Sequence, residues 1–471
     1  MEKYRIEKDF LGEVKVPNHA YWGSQTQRAI ENFPISGLRF PDIFIHSIAY
    51  IKLACAKVNY DLGLMDKKIS DAIVQSCKEI IEDKFSDQFP LDVFQTGSAT
   101  STNMNVNEVI ATRANEIIKG YKDSKNPVHP NDHVNKGQST NDVIPSAIHI
   151  SAYLLAKDSL IPSLKLLHKK IKEKSNNFKS IVKTGRTHLM DAMPLTLKQE
   201  MSGWASQIEL SIERIQETLP RLSELAIGGT AVGTGYSTHP EFGRKVSKVL
   251  SEMTRTKFRE SRNHFQAQST MDTITELSGH LKTLATSLLK IVNDMRWMNS
   301  GPVSGLSEII IPSLQPGSSM MPGKVNPVIL EAVRMVCVQV IGNDAVISIS
   351  NLMGEFQLNV MLPVIAHNII QSITILSNST NLMAKKVIDD LEVNEKHISE
   401  LTGRNPIIAT ALNPIIGYDK TAEVIKKAIK EKKRVKDVVI EMGYLSEEEA
   451  NKILDPKKMT KPGFPPNPLN S

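Results

Sequence analysis

Met271, Ile274, Leu277, Leu281, Leu284, Leu288, Ile291, Met295 and Met298 recur at intervals of three and four residues. That is the period of one helix face, and a stripe this long predicts a rod packed along parallel neighbours in a bundle. A chain built around such a rod is expected to be mainly α. Residues 328–341, VILEAVRMVCVQVI, are apolar on almost every side. They predict a helix buried all round, with contact between subunits as one source of cover.

The rest of the chain divides around this rod. At 471 residues it is long enough for two to four units at roughly 100–200 residues per domain. Residues 1–137 mix irregular stretches such as VPNHAYWGSQTQRAIENFP with helix-like ones, of which KKISDAIVQSCKEIIEDKF follows Asp66 as a candidate N-cap. Residues 138–392 keep a helical apolar period, and DDLEVNEKH then breaks it. Residues 393–471 read as a small helical domain ending in the Pro-rich tail KPGFPPNPLNS, which cannot continue a helix.

Composition removes several function classes. Only 5% of residues are aromatic, so aliphatic side chains must do most of the packing. Basic residues number 57 against 51 acidic ones, and the basic tract from Lys420 to Lys436 reads as a solvated helix face. No nucleic-acid partner is expected. Cys55, Cys77 and Cys337 are too scattered for a disulfide framework or a metal cluster and read as core residues in a reducing compartment. The start, MEKYRIEKDF, has no signal-like apolar core, and no apolar run reaches the ~18 residues that span a bilayer. The expectation is a cytoplasmic protein without a membrane partner.

Four polar segments interrupt the helices: TGSATSTNMNVNE at 96–108, HPNDHVNKGQSTND at 129–142, GRTHLMDAMPLT at 185–196 and PGSSMMPGKVNP at 316–327. Hydroxyls and amides donate neutral hydrogen bonds, Lys adds a point charge and loop amides add donors. Converging in space, such segments would form a pocket for a small dicarboxylate. His129 and His133 have the i, i+4 spacing of a metal pair, but Pro130 opposes a continuing helix and no carboxylate-rich ligand set follows, so no metal is expected. Gly228, Gly229, Gly233 and Gly235 follow no strand and read as a mobile connection, not a phosphate loop. Glu331 stands on an otherwise apolar helix, where a buried carboxylate needs a partner.

The run from Gly317 to Pro327 resembles the GSSxMPxKxNP signature of the aspartase/fumarase superfamily. The other three segments resemble that superfamily's remaining site regions in the same order, and the likeness extends from FLGEVKVPNHAYWGSQTQRAIENFP to NPIIGYDKTAEVIKKA. The resemblance implies a three-domain, mainly α fold whose central bundle assembles into a homotetramer, with each site drawn from three subunits. It also implies acid–base chemistry without a cofactor. In that scheme Ser318 is the base, activated by Lys324 and by amides of its own loop. Lys324 and Asn326, with Ser319 and Val325 beside them, hold the doubly charged carboxylate that forms. Ser98, Ala99, Thr100, Ser139, Thr140, Asn141 and Thr187 bind the rest of the substrate. His188, paired with Glu331, handles the water, while His129, Pro130, Asn131 and Asp132 resemble a second, peripheral carboxylate site.

Within the superfamily, HPNDHVNK, His188 in GRTH and Gly323 in PGK resemble the iron-independent fumarases, implying reversible hydration of fumarate to L-malate. Thr140 in QSTND, Val328 after KVNP and GEFQLNVM at 354–361 lean towards aspartate ammonia-lyase. A structural protein on the same scaffold is a third reading, opposed by the intact Ser318, Lys324, Asn326 and His188. Ala99 and Met190 stand where fumarases usually read Gly and Gln.

Overall fold

The computed structural model describes residues 3–463, so the last eight residues of the Pro-rich tail lie outside the described residues. The architecture is mainly α, and each of the five sheets among the described residues has only two strands. The apolar stripe becomes one continuous helix, Asp272–Met298, preceded by Met271. All nine stripe residues are buried.

The chain divides into two compact units. The first comprises residues 1–162, 212–285 and 336–377. Its core packs helix Asp42–Asp61 against Lys67–Ile81 and Thr140–Leu155, through Phe44, Ile48, Ile51, Ile73, Ile144 and Ile148. Asp66 starts the second of these helices by accepting from the amides of Lys68 and Ile69, which satisfies donors that a helix start otherwise leaves open. Cys55 and Cys77 lie in this core, where burial pushes both thiols up and leaves them unreactive.

His149 tests this packing from within. Its Nδ1 lies 2.9 Å from the Glu224 carbonyl oxygen, and burial pushes its pKa down to about 4. Folding therefore favours the neutral ring. The stability this contributes is complete above the ordinary value of 6.5 and is lost as pH falls through 4. Up to roughly 3 kcal/mol is at stake. Denaturant unfolding at pH 7, 5.5 and 4.5 should show His149→Gln losing less stability on acidification than the parent. Equal losses in the two proteins would remove His149 as the cause.

The second unit comprises residues 163–211, 286–335 and 378–471. It contains the antiparallel hairpin Val182–Thr187 with Met190–Thr196 and a C-terminal cluster of short helices. That cluster closes on Leu412, Val424, Ala428, Val438, Val439 and Ala450. In the basic tract Lys433 bonds Glu441 and Arg434 bonds Asp437 at the surface.

Helix Val328–Leu352 departs from the expectation of all-round burial. Leu330, Val333, Cys337 and Val340 are buried, but Met335 is 69% exposed, Val338 62% and Ile349 56%. With Gly342 and Val346 these residues form a second apolar stripe on the outer face. The helix is long and apolar enough to cross a membrane by length and composition. Two buried polar residues in its middle are nonetheless bonded within the fold: Asn343 donates to Gln371 and Ser372, and Asp344 accepts from Ser278.

Candidate active site

In the first unit, residues 96–100 form a tight turn into helix Thr100–Lys119. A Cβ on Gly97 would lie 1.9 Å from the Val360 carbonyl oxygen, so only glycine fits there. Ala99 takes the N-cap position in left-handed conformation (φ 59°), where glycine would sit without strain. Ala99 has no side-chain bond to offer as N-cap, and the Gln95 side-chain carbonyl oxygen accepts from the Thr102 amide in the first turn. The hydroxyls of Ser98 and Thr100 meet there at 2.7 Å, beside the positive end of the helix dipole, an arrangement suited to a carboxylate.

Residues 129–142 fold as a one-turn helix, Pro130–Val134, followed by the start of helix Thr140–Leu155. His129 Nδ1 accepts from the amides of Asn131 and Asp132, and His133 Nδ1 accepts from the His129 amide. These bonds occupy the two imidazoles with the backbone. Among the described residues no cluster of His, Cys, Asp or Glu is placed to hold a metal ion. Ser139 and Asp142 form a reciprocal capping box, and the second Asp142 oxygen accepts from the amides of Gly228 and Thr230. Burial raises the Asp142 pKa to about 6 against these bonds. Asn141 donates to the Ala231 carbonyl at 2.8 Å. The glycine-rich connection at 228–235 is thus tied to the substrate-loop candidate, and both line an open cavity of about 840 Å³ that reaches Asn131, Asp132, Ser139 and Tyr236.

In the second unit, strands Val182–Thr187 and Met190–Thr196 pair so that Thr187 faces Met190 across a two-residue loop. Both loop residues, His188 (φ 56°) and Leu189 (φ 59°), have positive φ. A two-residue loop of this kind is a type I′ turn, which normally takes Asn-Gly. Non-glycine residues there cost roughly 1–3 kcal/mol each and mark functional positions. Behind the turn the buried Glu308 fixes the strand: Arg186 donates to it at 2.7 Å, and Lys183 lies 3.0 Å from it while donating to Glu200 at 2.6 Å. Thr187 and His188 are exposed at the tip.

The loop from Gly317 to Asn326 is closed by its own ends. The Gly317 amide donates to the Lys324 carbonyl at 2.8 Å, and Asn326 Nδ2 donates to the Gly317 carbonyl at 2.7 Å. A Cβ on Gly317 would meet both partners at 2.7 Å, which excludes any other residue. Inside the loop, Ser318 Oγ accepts from the amides of Met320 (3.2 Å) and Met321 (2.9 Å). Ser319, Lys324 and Val325 are exposed, and Glu331 is half-buried in the first turn of the next helix.

Within one chain these candidates form separate groups. Ser98, Ala99, Thr100, His129 to Asp132 and Ser139 to Asn141 belong to the first unit; Thr187, His188, Ser318, Ser319, Lys324 to Asn326 and Glu331 belong to the second. Among the described residues no ion pair within one chain joins His188 to Glu331. Sequence reasoning missed the supporting residues: buried Lys52 and Asn103 with half-buried Asn135 in the first unit, and buried Glu308 with half-buried Arg186 in the second. Lys52 did leave a signal, as a lone charge in the apolar run IAYIKLACA.

Comparison with known proteins follows the same lines. Residues 12–342 match the family described as lyase, and residues 408–461 match the fumarase C C-terminus. A class II fumarate hydratase of Xylella fastidiosa is 51% identical over 463 residues, covering 98% of this chain and 97% of that one. A class II fumarate hydratase of Halobacterium salinarum is 52% identical, covering 98% of each. The crystal structure of a class II fumarase from Schistosoma mansoni superposes with a TM-score of 0.94 at 39% identity, covering 97% of this chain and 99% of that chain.

Proposed function

The chain belongs to the class II fumarate hydratase family, and from that premise we infer how its own residues carry out the reversible hydration of fumarate to L-malate. It is a hydro-lyase acting on a small dicarboxylate. The observation that carries the mechanism is Ser318 Oγ accepting two backbone amides in an exposed loop. An isolated hydroxyl is a poor base. Two N–H donors favour its charged form, and the ammonium of Lys324 on the same loop adds to that field.

In the dehydrating direction Ser318 removes the proton from the malate carbon beside a carboxylate. The electron pair moves into that carboxylate, giving the aci-carboxylate, whose extra charge Lys324 and Asn326 stabilise together with the Ser319 and Val325 backbone. The neighbouring C–O bond then breaks, and the hydroxide leaves as water with a proton from His188, directly or through ordered water. Ser98, Ala99, Thr100, Ser139, Thr140, Asn141 and Thr187 hold the other end of the substrate. His129, Pro130, Asn131 and Asp132 act as a second carboxylate site at the margin of the large cavity.

The exposed stripe on helix Val328–Leu352 supports a homotetramer, because an apolar face of this length is what a second subunit covers. Composite sites then bring the two groups of residues together and pair Glu331 with a His188 from another chain. Three consecutive domains, 1–137, 138–392 and 393–471, a cytoplasmic location and a place in the tricarboxylic acid cycle complete the reading.

Fumarate consumption followed at the ultraviolet absorbance of its double bond tests the reaction. Purified protein should hydrate fumarate at an undiminished rate after EDTA treatment, with no dependence on ammonia. Ammonia-dependent loss of the double bond would identify an aspartate ammonia-lyase instead. Loss of activity on chelation would overturn the metal-free mechanism, and no turnover at all would favour the structural-protein reading.

A further inference from the structure

Lys52 is fully buried on helix Asp42–Asp61, between the apolar residues Ile48, Ile51 and Cys55. A methionine would fill that place without desolvating a charge, so an ammonium there needs a reason. Burial pushes its pKa down to about 8, partly offset by the nearby Asp142. Its bonds supply the reason: Nζ donates to Asn135 Oδ1 at 2.8 Å and to Gln138 Oε1 at 2.9 Å. Asn135 Oδ1 also accepts from Asn103 Nδ2 at 3.4 Å and from Asn107 Nδ2 at 3.3 Å. Asn103 Nδ2 in turn donates to Thr140 Oγ1 at 2.9 Å.

The direction of these bonds has a chemical result. Lys52 has donors only, so it fixes Asn135 and Gln138 with their carbonyl oxygens towards it. Asn135 then receives the Asn103 amide, and that amide reaches Thr140 as a donor. Thr140 Oγ1, having accepted, keeps its own proton for an anion outside the chain. Asn135 and Gln138, the two residues that Lys52 holds, line the adjacent cavity together with Ser139, the neighbour of Thr140.

Resting on the fumarate reading, we propose that Lys52 is a positioning residue that sets the Thr140 hydroxyl as a donor to the substrate carboxylate through Asn135 and Asn103. It also places a positive charge beneath the loop that receives a dianion. Such a role serves ground state and transition state alike, so its loss raises KM and largely spares kcat. A merely structural lysine would lower the active fraction and leave KM alone.

The test uses the full-length enzyme with Lys52→Met, Thr140→Val and the double variant. Each single change should raise KM for fumarate about tenfold with kcat within about threefold of the parent, and the double variant should be no worse than the poorer single. Unchanged KM in an active, folded Lys52→Met enzyme overturns the proposal, as do effects that multiply in the double variant. If Lys52→Met does not fold, Asn103→Leu breaks the same relay at its other end and should show the same KM rise and the same lack of additivity with Thr140→Val. A parent protein that fails to hydrate fumarate defeats the functional reading itself. An active parent with an unaffected KM in the variants defeats only the relay.

Discussion

Ser318→Ala should lower the turnover of fumarate hydration by about 10³-fold or more while leaving KM for fumarate within a small factor, because it removes the base without removing a charge that binds substrate. The loop should keep its shape, since the Gly317–Lys324 and Asn326–Gly317 bonds that close it do not involve the serine side chain. His188→Asn should cost roughly 10²–10⁴-fold, the usual worth of a positioned acid–base group. Glu331→Gln should cost less, because it removes charge and orientation but keeps shape. Stopped-time assays on variants with unchanged circular dichroism and unchanged assembly size measure all three. A Ser318→Ala enzyme within about tenfold of the parent would remove Ser318 from the role of base.

The second large effect is a gain. Two nearly inactive proteins, Ser318→Ala and His188→Asn, should recover activity when denatured, mixed and refolded together. If each site takes Ser318 from one chain and His188 from another, random mixing leaves roughly a quarter of the sites with neither defect. The exposed apolar stripe on helix Val328–Leu352 and the absence among the described residues of a His188–Glu331 ion pair motivate the expectation. Mixed assemblies that form, as shown by mass tags on each variant, yet stay as inactive as the separate proteins would place both residues on one subunit.

Much of this was legible in the sequence because it is written in local period and local chemistry. The stripe from Met271 to Met298 is a helix because its spacing admits nothing else. Asp66 is a cap because a carboxylate before an apolar-periodic run has open amides to accept from. The two compact units were not legible, since each gathers three stretches separated by long intervals of sequence. The outer stripe on helix Val328–Leu352 was read as one with its buried face, because composition records that both are apolar and not which one a single chain covers. Lys52 and Glu308 escaped notice for a related reason. Their significance lies in bonds to residues 83 and 122 positions away, Asn135 and Arg186, and no window of sequence contains both ends.

The His188–Leu189 turn sets a limit on how this protein can be improved. Consensus redesign would write Asn-Gly into a two-residue hairpin and collect the conformational energy that histidine and leucine forgo at positive φ. Thermal tolerance would rise, and the imidazole would be gone. On the acid–base role proposed for His188, gains in heat resistance that keep turnover have to come from other parts of the molecule.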